Sequence, residues 1–229
     1  MSKFTDKITY HHFFDEADRK LAEMMPAMSF MDSEIEVIRD DSITKVSLEE
    51  PTDVSSFLHE TAIIEYHGVL YAAWYRCPVT ELKDYTPICG KRSYDGGKTW
   101  TETEIWVAPP TKAIMLCPPV FGVDDDKLYM FVNEMVAPDC IHSLNLYVLN
   151  SETNQFDLVF RRPIPLKLNT NVVTLPNGKL MLPGRFGELD QYSNVPAVII
   201  SDSGKIDAEW RRVKIAESAE LADGEKLQH

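Results

Sequence analysis

No stretch of this chain approaches the roughly 18 consecutive apolar residues that a membrane-spanning helix needs. The opening residues, MSKFTDKITYHHFFDEADRK, are polar and mixed in charge and hold no apolar run of the kind that marks a secretion signal. Cysteine is sparse, and Cys77, Cys89, Cys117 and Cys140 show no C-x-x-C spacing, which argues against a zinc or redox motif. No metal and no cofactor is read from the chain. With no leader in view the expected setting is the cytoplasm with reduced thiols; a trimmed leader would leave the same sequence. Basic residues are also short, 23 Lys and Arg against 36 Asp and Glu, for a formal net charge of −13. That mean field argues against nucleic acid and anionic membrane as partners, while leaving room for a local basic pocket.

What is present is repetition. Ala62–Tyr75 reads AIIEYHGVLYAAWY, two apolar strands around a tight turn. Pro119–Val132 (PVFGVDDDKLYMFV) and Val172–Leu182 (VVTLPNGKLML) repeat the pattern, the last with the strong hairpin dipeptide Asn177-Gly178. Anchored on Leu70, Leu128 and Leu180, the hairpins lie 58 (128 − 70) and 52 (180 − 128) residues apart. A polar turn opened by serine and closed by an aromatic follows each one: Ser93–Trp100, Ser151–Phe156 and Ser201–Trp210. Those serines are 58 (151 − 93) and 50 (201 − 151) residues apart. Two markers repeating in step imply units of about four short strands, and periods of roughly 40–50 residues are typical of propeller blades. Three unrelated meanders in a β-sandwich are the alternative, but a sandwich seldom repeats a turn at constant phase.

The turn SYDGGKTW matches the Asp-box, S-x-D-x-G-x-T-W, at Ser93, Asp95, Gly97, Thr99 and Trp100. Asp95 suits acceptance of the turn's own amides, Gly96 and Gly97 suit positive φ, and Trp100 is expected to fill the gap between neighbouring blades. On this box, on HETAIIEYHGVLYAAWY and on LPNGKLMLPGR, the chain resembles the sialidase superfamily of BNR-repeat β-propellers, from Phe57 to Ile215. The resemblance implies an all-β, six-bladed fold. About three blades are present here, near 57–110, 115–165 and 168–216, and the chain reads as part of a longer protein whose open edge would favour self-association. Residues 1–50 fall outside as an N-terminal extension, with a short helix expected over Asp15–Met25 and strands over Ile35–Val37 and Ile43–Val46.

In a blade whose strands run antiparallel from the centre outwards, the heads of the first strands and the ends of the second strands share one face, opposite the Ser turns. That face gathers His59, Glu60, Cys117, Asn169 and Asn171 from the heads, and Arg76, Glu134 and Arg185 from the ends. The loop after Arg185 adds Glu188 and Asp190. Arginine binds planar carboxylates bidentately, and paired carboxylates serve acid/base work on a glycosidic bond. The expected assignment is Glu134, Glu188 and Asp190 as catalytic groups and His59, Glu60, Arg76, Asn171 and Arg185 as substrate contacts. Trp74 and Tyr75 are expected in the core. The family's arginine triad finds only Arg76 and Arg185 here, and its nucleophilic tyrosine with partner glutamate belongs to later blades. The expected function is a carbohydrate-active, exo-glycosidase-type enzyme acting on an anionic or polyhydroxylated sugar, its site completed by further blades so that this part alone is inactive. The alternative is a non-catalytic carbohydrate-binding propeller.

Overall fold

The computed structural model describes residues 5–8, 35–38, 44–81, 85–137, 140–188 and 191–215, and for residues 5–8, 35–38, 187–188 and 191–194 the backbone alone. Two compact units divide the chain, Met1–Val46 and Ser47–His229. In the first, β1 (Thr5–Ile8) and β2 (Ile35–Ile38) pair antiparallel, Thr5 opposite Ile38 and Ile8 opposite Ile35. The strand expected over Ile35–Val37 is therefore β2. No strand forms over residues 44–46, and the helix expected over Asp15–Met25 lies outside the described residues.

The second unit holds three antiparallel meanders. The first sheet runs β3 (Phe57–Tyr66), β4 (Val69–Cys77), β5 (Ile88–Ser93), β6 (Glu104–Val107). The second runs β7 (Met115–Asp124), β8 (Lys127–Ala137), β9 (Cys140–Asn150), β10 (Gln155–Arg162). In the third, β11 (Leu166–Leu168) and β12 (Val173–Thr174) both pair with β13 (Leu180–Glu188), followed by β14 (Gln191–Ser201) and β15 (Arg211–Lys214). Among the described residues there is no helix. Leu70, Leu128 and Leu180 stand at the start of the second strand of successive sheets. Ser93 and Ser201 sit directly opposite Leu70 and Leu180, which is why the two markers keep step.

Local turn chemistry sets these hairpins. His67 and Gly68 join β3 to β4 with φ of 51° and 75°, and Asp125 and Asp126 join β7 to β8 with φ of 48° and 55°. Positive φ at both central residues matches the right-handed twist of the flanking strands. Leucines and aromatics on alternate positions then bury the sheets against each other. One seam is built from Tyr71, Tyr75, Trp106, Phe121, Leu128, Met130 and Phe156, joining the first two sheets. The next is built from Phe131, Leu146, Leu166, Leu182, Ile199 and Trp210, joining the second and third. Polar ties cross both seams. Arg92, 1% exposed, donates to Asn154 O at 2.6 Å in the turn of the second sheet, with its guanidinium 4.9 Å over the Trp106 ring. Asn133, fully buried, donates to Leu166 O at 2.8 Å and accepts from Leu168 N at 2.9 Å, acting as a one-residue strand beside β11.

Trp100 does not enter the seam with the second sheet but packs on the opposite face of the first, with Ala72, Trp74, Cys89, Leu48 and Leu58. Trp106 takes the seam instead, and Gly90 makes room: a Cβ there would lie 2.5 Å from its ring. Trp74 and Tyr75 are buried as expected, on opposite faces of β4.

The Ser93–Trp100 turn is tied by its own side chains. Asp95 Oδ1 accepts from Thr99 N at 2.9 Å and Oδ2 from Thr99 Oγ1 at 2.7 Å, while Trp100 Nε1 donates to Gly97 O at 3.1 Å. The Thr99 hydroxyl and amide bonds hold the Asp95 carboxyl down to about 2. A carboxyl depressed in the folded state stabilises above its ordinary value near 3.8, and that stability is lost as pH falls through the folded value. Asp95→Asn should therefore unfold at a lower temperature than the parent near neutral pH, with the gap narrowing between roughly pH 4 and pH 2. Thermal unfolding midpoints across that range check it; a gap independent of pH would reject the assignment.

Candidate functional site

In all three sheets the innermost strand leaves its ladder at the same level. In β3, His59 pairs with Tyr75 and Ala62 with Ala73, so Glu60 and Thr61 together face only Trp74. In β7, Leu116 pairs with Glu134 and Pro119 with Val132, so Cys117 and Pro118 face only Asn133. In the third sheet, Leu168 pairs with Gly184 and Val173 with Met181, and residues 169–172 split the strand into β11 and β12. Glu60, Pro118 and Thr170 each lie ten residues before the hairpin leucine of their sheet, so the interruption is a repeated feature. A bulge frees side chains from the pleat and re-aims them. Here the three interruptions surround a hollow of about 340 Å³ lined by Glu60, Thr61, Pro118, Asn169, Thr170 and Asn171, among others.

Glu60 is its charged member. Its φ of 48° places a non-glycine residue in the left-handed region, a strain that persists only where the surroundings hold it. The thiol of Cys117, fully buried, donates to Glu60 Oε2 at 3.1 Å. Burial first, and then the Glu60 carboxylate, push that thiol well above its ordinary value and keep it a donor. Asn171 Oδ1 accepts from Phe121 N at 3.3 Å, fixing the third wall against the second sheet.

Beside Glu60, His59 Nδ1 lies 2.8 Å from the Tyr75 hydroxyl, and that hydroxyl donates to Glu81 Oε1 at 2.8 Å. Glu81 Oε1 is 3.4 Å from the same Nδ1. Tyr75 is fully buried, and burial, with Cys117, the Glu81 bond and Glu60 adding to it, drives its hydroxyl far above the ordinary range, so it stays protonated.

The hollow thus brings together Glu60 and Asn171 of the expected residues; His59 precedes Glu60 in the chain and does not line it. Glu134 sits elsewhere: it lies on the face of β8 that carries Leu128, Met130 and Val132 into the first seam. It is 2% exposed, 2.8 Å from Arg161 Nη2, and accepts from Ser143 Oγ at 3.1 Å. Arg76 points to the opposite face of the first sheet, 3.6 Å from Glu49 Oε1, where Lys91 also reaches Glu49 at 3.5 Å. Arg185 lies directly opposite Lys167, on the face of the third sheet away from Leu166 and Leu168. Glu188 ends β13, and its side chain, with the whole of Asp190, lies outside the described residues. Glu81 was not among the expected residues. It sits in the long loop after β4, and no spacing rule ties a loop carboxylate to a tyrosine six residues earlier. Among the described residues no group of three or more His, Cys, Asp and Glu is placed to hold a metal ion.

No protein-family model and no curated protein matches the chain. Solved structures do. The sialidase of Trypanosoma rangeli, captured as a covalent intermediate with 2,3-difluorosialic acid, matches 77% of this chain at 14% identity and a TM-score of 0.58. Zg3597, a family 117 glycoside hydrolase of Zobellia galactanivorans, matches 68% at 15% identity and a TM-score of 0.53. A protein of unknown function from Dyadobacter fermentans matches 75% at 12% identity and a TM-score of 0.56. At such identities the likeness is one of fold: the chain has the sialidase-like β-propeller fold, with three blades. It spans 36%, 55% and 58% of those three chains.

Proposed function

We propose that the protein carrying these blades processes glycosides, taking a terminal sugar into the hollow between the three innermost strands with Glu60 facing it. The carrying observation is the interruption repeated at one level of three blades, which turns Glu60, Asn169 and Asn171 toward a shared space. Carboxylate, amide and hydroxyl groups on a rigid scaffold suit the hydroxyls of a sugar, and the volume falls in the range of small-molecule sites. The likeness to sialidase and family 117 hydrolase folds supports a glycosidase over an unrelated ligand-binding propeller. Cleavage of a glycosidic bond needs a proton donor and a negative charge close to the ring. Glu60 supplies the charge, and Glu188 and Asp190 are the further carboxylates that the third blade offers. The Ser93–Trp100 turn, read as an Asp-box, holds the outer edge of its blade and takes no part in the chemistry.

The test is incubation of the whole protein that carries these blades with sialosides, uronic-acid oligosaccharides and neutral oligosaccharides, with products followed by mass spectrometry. Release of a terminal sugar is expected, and Glu60→Gln should slow it by about 10²-fold or more. Binding without release would favour the non-catalytic alternative. Neither binding nor release would end the reading, and an unaltered rate in Glu60→Gln would remove Glu60 from it.

A further inference from the structure

Tyr75 has one hydroxyl proton, and an ionised carboxylate can only accept, so the 2.8 Å bond to Glu81 Oε1 uses that proton. The tyrosine oxygen is then left as an acceptor toward His59 Nδ1, also at 2.8 Å. Two acceptors, the Tyr75 oxygen and Glu81 Oε1 at 3.4 Å, therefore face Nδ1. That geometry requires a proton on Nδ1. The neutral ring then carries its lone pair on Nε2, the opposite of the tautomer that a solvated histidine favours. Packing supports the same orientation: the ring stands edge-on to Phe57, with centroids 5.6 Å apart, and to Tyr75 at 5.7 Å. His59 and Tyr75 are directly opposed across β3 and β4, so the backbone register holds the pair. The imidazole is 52% exposed in its side chain, leaving Nε2 open to water or ligand, whereas Tyr75 is fully buried.

We propose that His59, which does not line the hollow but precedes Glu60 on β3, is a proton-transfer residue at its margin, its basic Nε2 fixed in place by the Tyr75 and Glu81 relay behind it. This deepens the glycoside-processing reading and rests on it for the reaction, but the tautomer itself does not. In the step, Nε2 takes a proton from a water as the water oxygen bonds to the anomeric carbon and the glycosidic C–O bond breaks, and the ring becomes imidazolium. The Glu81 carboxylate beside Nδ1 offsets the new charge, with Glu60, the next residue, and the Cys117 thiol from β7 as the other ionisable groups nearby. The proton then passes from Nε2 to the departing glycosidic oxygen, so none is gained or lost over the cycle. Tyr75 and Glu81 are positioning residues: they touch the histidine and not the substrate.

Nitrogen-15 NMR of the full chain with labelled histidine reads the tautomer directly, without substrate. At a pH where His59 is neutral, a protonated Nδ1 and a bare Nε2 are expected. Glu81→Ala should shift the ring toward the Nε2–H form, because the Tyr75 proton is then free to be donated to Nδ1, and since Glu81 is half-exposed that variant keeps the fold. Tyr75→Phe should do so less completely, because Glu81 Oε1 still faces Nδ1. A parent His59 protonated on Nε2, or a tautomer unmoved by both variants, would overturn the relay. Where a glycoside is cleaved, His59→Gln should lower kcat by about 10²–10⁴-fold with KM little changed. Relay intact with kcat unchanged would refute the proton-transfer role. No cleavage of any glycoside, with the tautomer as expected, would reject the glycosidase reading and this step with it, leaving the relay as a measured feature of the fold.

Discussion

Trp106→Ala should cost about 3–5 kcal/mol, the largest loss expected from any single truncation in the three blades. Trp106 stands in the seam between the first two sheets, with its ring centroid 5.2 Å from that of Phe156, 6.2 Å from Tyr71 and 6.4 Å from Phe121. The guanidinium of Arg92, nearly fully buried, lies over its face at 4.9 Å. Removing the indole leaves a cavity that strand backbones cannot close, and it takes from Arg92 the surface that shields its charge. Gly90 across the sheet has no side chain to swing into the space. Urea unfolding measures the loss, and a change below about 1 kcal/mol would show that the seam is not the stability-bearing contact described here.

Asn133→Ala is expected to follow closely, at about 2–5 kcal/mol. The side chain satisfies a carbonyl, Leu166 O, and an amide, Leu168 N, in a fully buried place. Each group left bare there costs roughly 1–3 kcal/mol. The damage should also be directional. Asn169–Asn171 follow β11 at once, so loosening that strand moves one wall of the hollow and should weaken sugar binding even where the fold survives. Hydrogen exchange at the Leu168 amide separates the two effects: faster exchange is expected in the variant, and protection equal to the parent would remove Asn133 from its role as a surrogate strand.

Part of this arrangement is plain in the chain because it is local. His67-Gly68 and Asp125-Asp126 state their turns in two residues each and Pro176-Asn177-Gly178 in three, with positive φ at the glycine, and the runs around them are apolar on both faces. The spacing of Leu70, Leu128 and Leu180 then counts the blades. Of the head residues His59, Glu60, Cys117, Asn169 and Asn171, three, Glu60, Asn169 and Asn171, line one hollow, since strand direction alone assigns the head of each innermost strand to one end. Arg76 and Glu134 fare differently. Both stand at the ends of second strands as expected, but each lies on one of a strand's two faces, and the partners that claim them, Glu49 before β3 and Arg161 on β10, are each 27 residues away in sequence. Trp100 and Trp106 are likewise two aromatics after one turn, and which of them enters the seam depends on the glycine at position 90 across the sheet.

The residue string, then, was sufficient for the recurring hairpins and the blade count, because these depend on apolar runs and on turn preferences a few residues long. It was not sufficient for the interruptions at Glu60, Cys117 and Asn169, for the Glu60–Cys117 contact or for the His59–Tyr75–Glu81 chain. An extra residue leaves no mark in a run that is apolar on both faces, and a hydrogen bond across 57 positions exists only once two sheets have packed and decided which groups must share a proton.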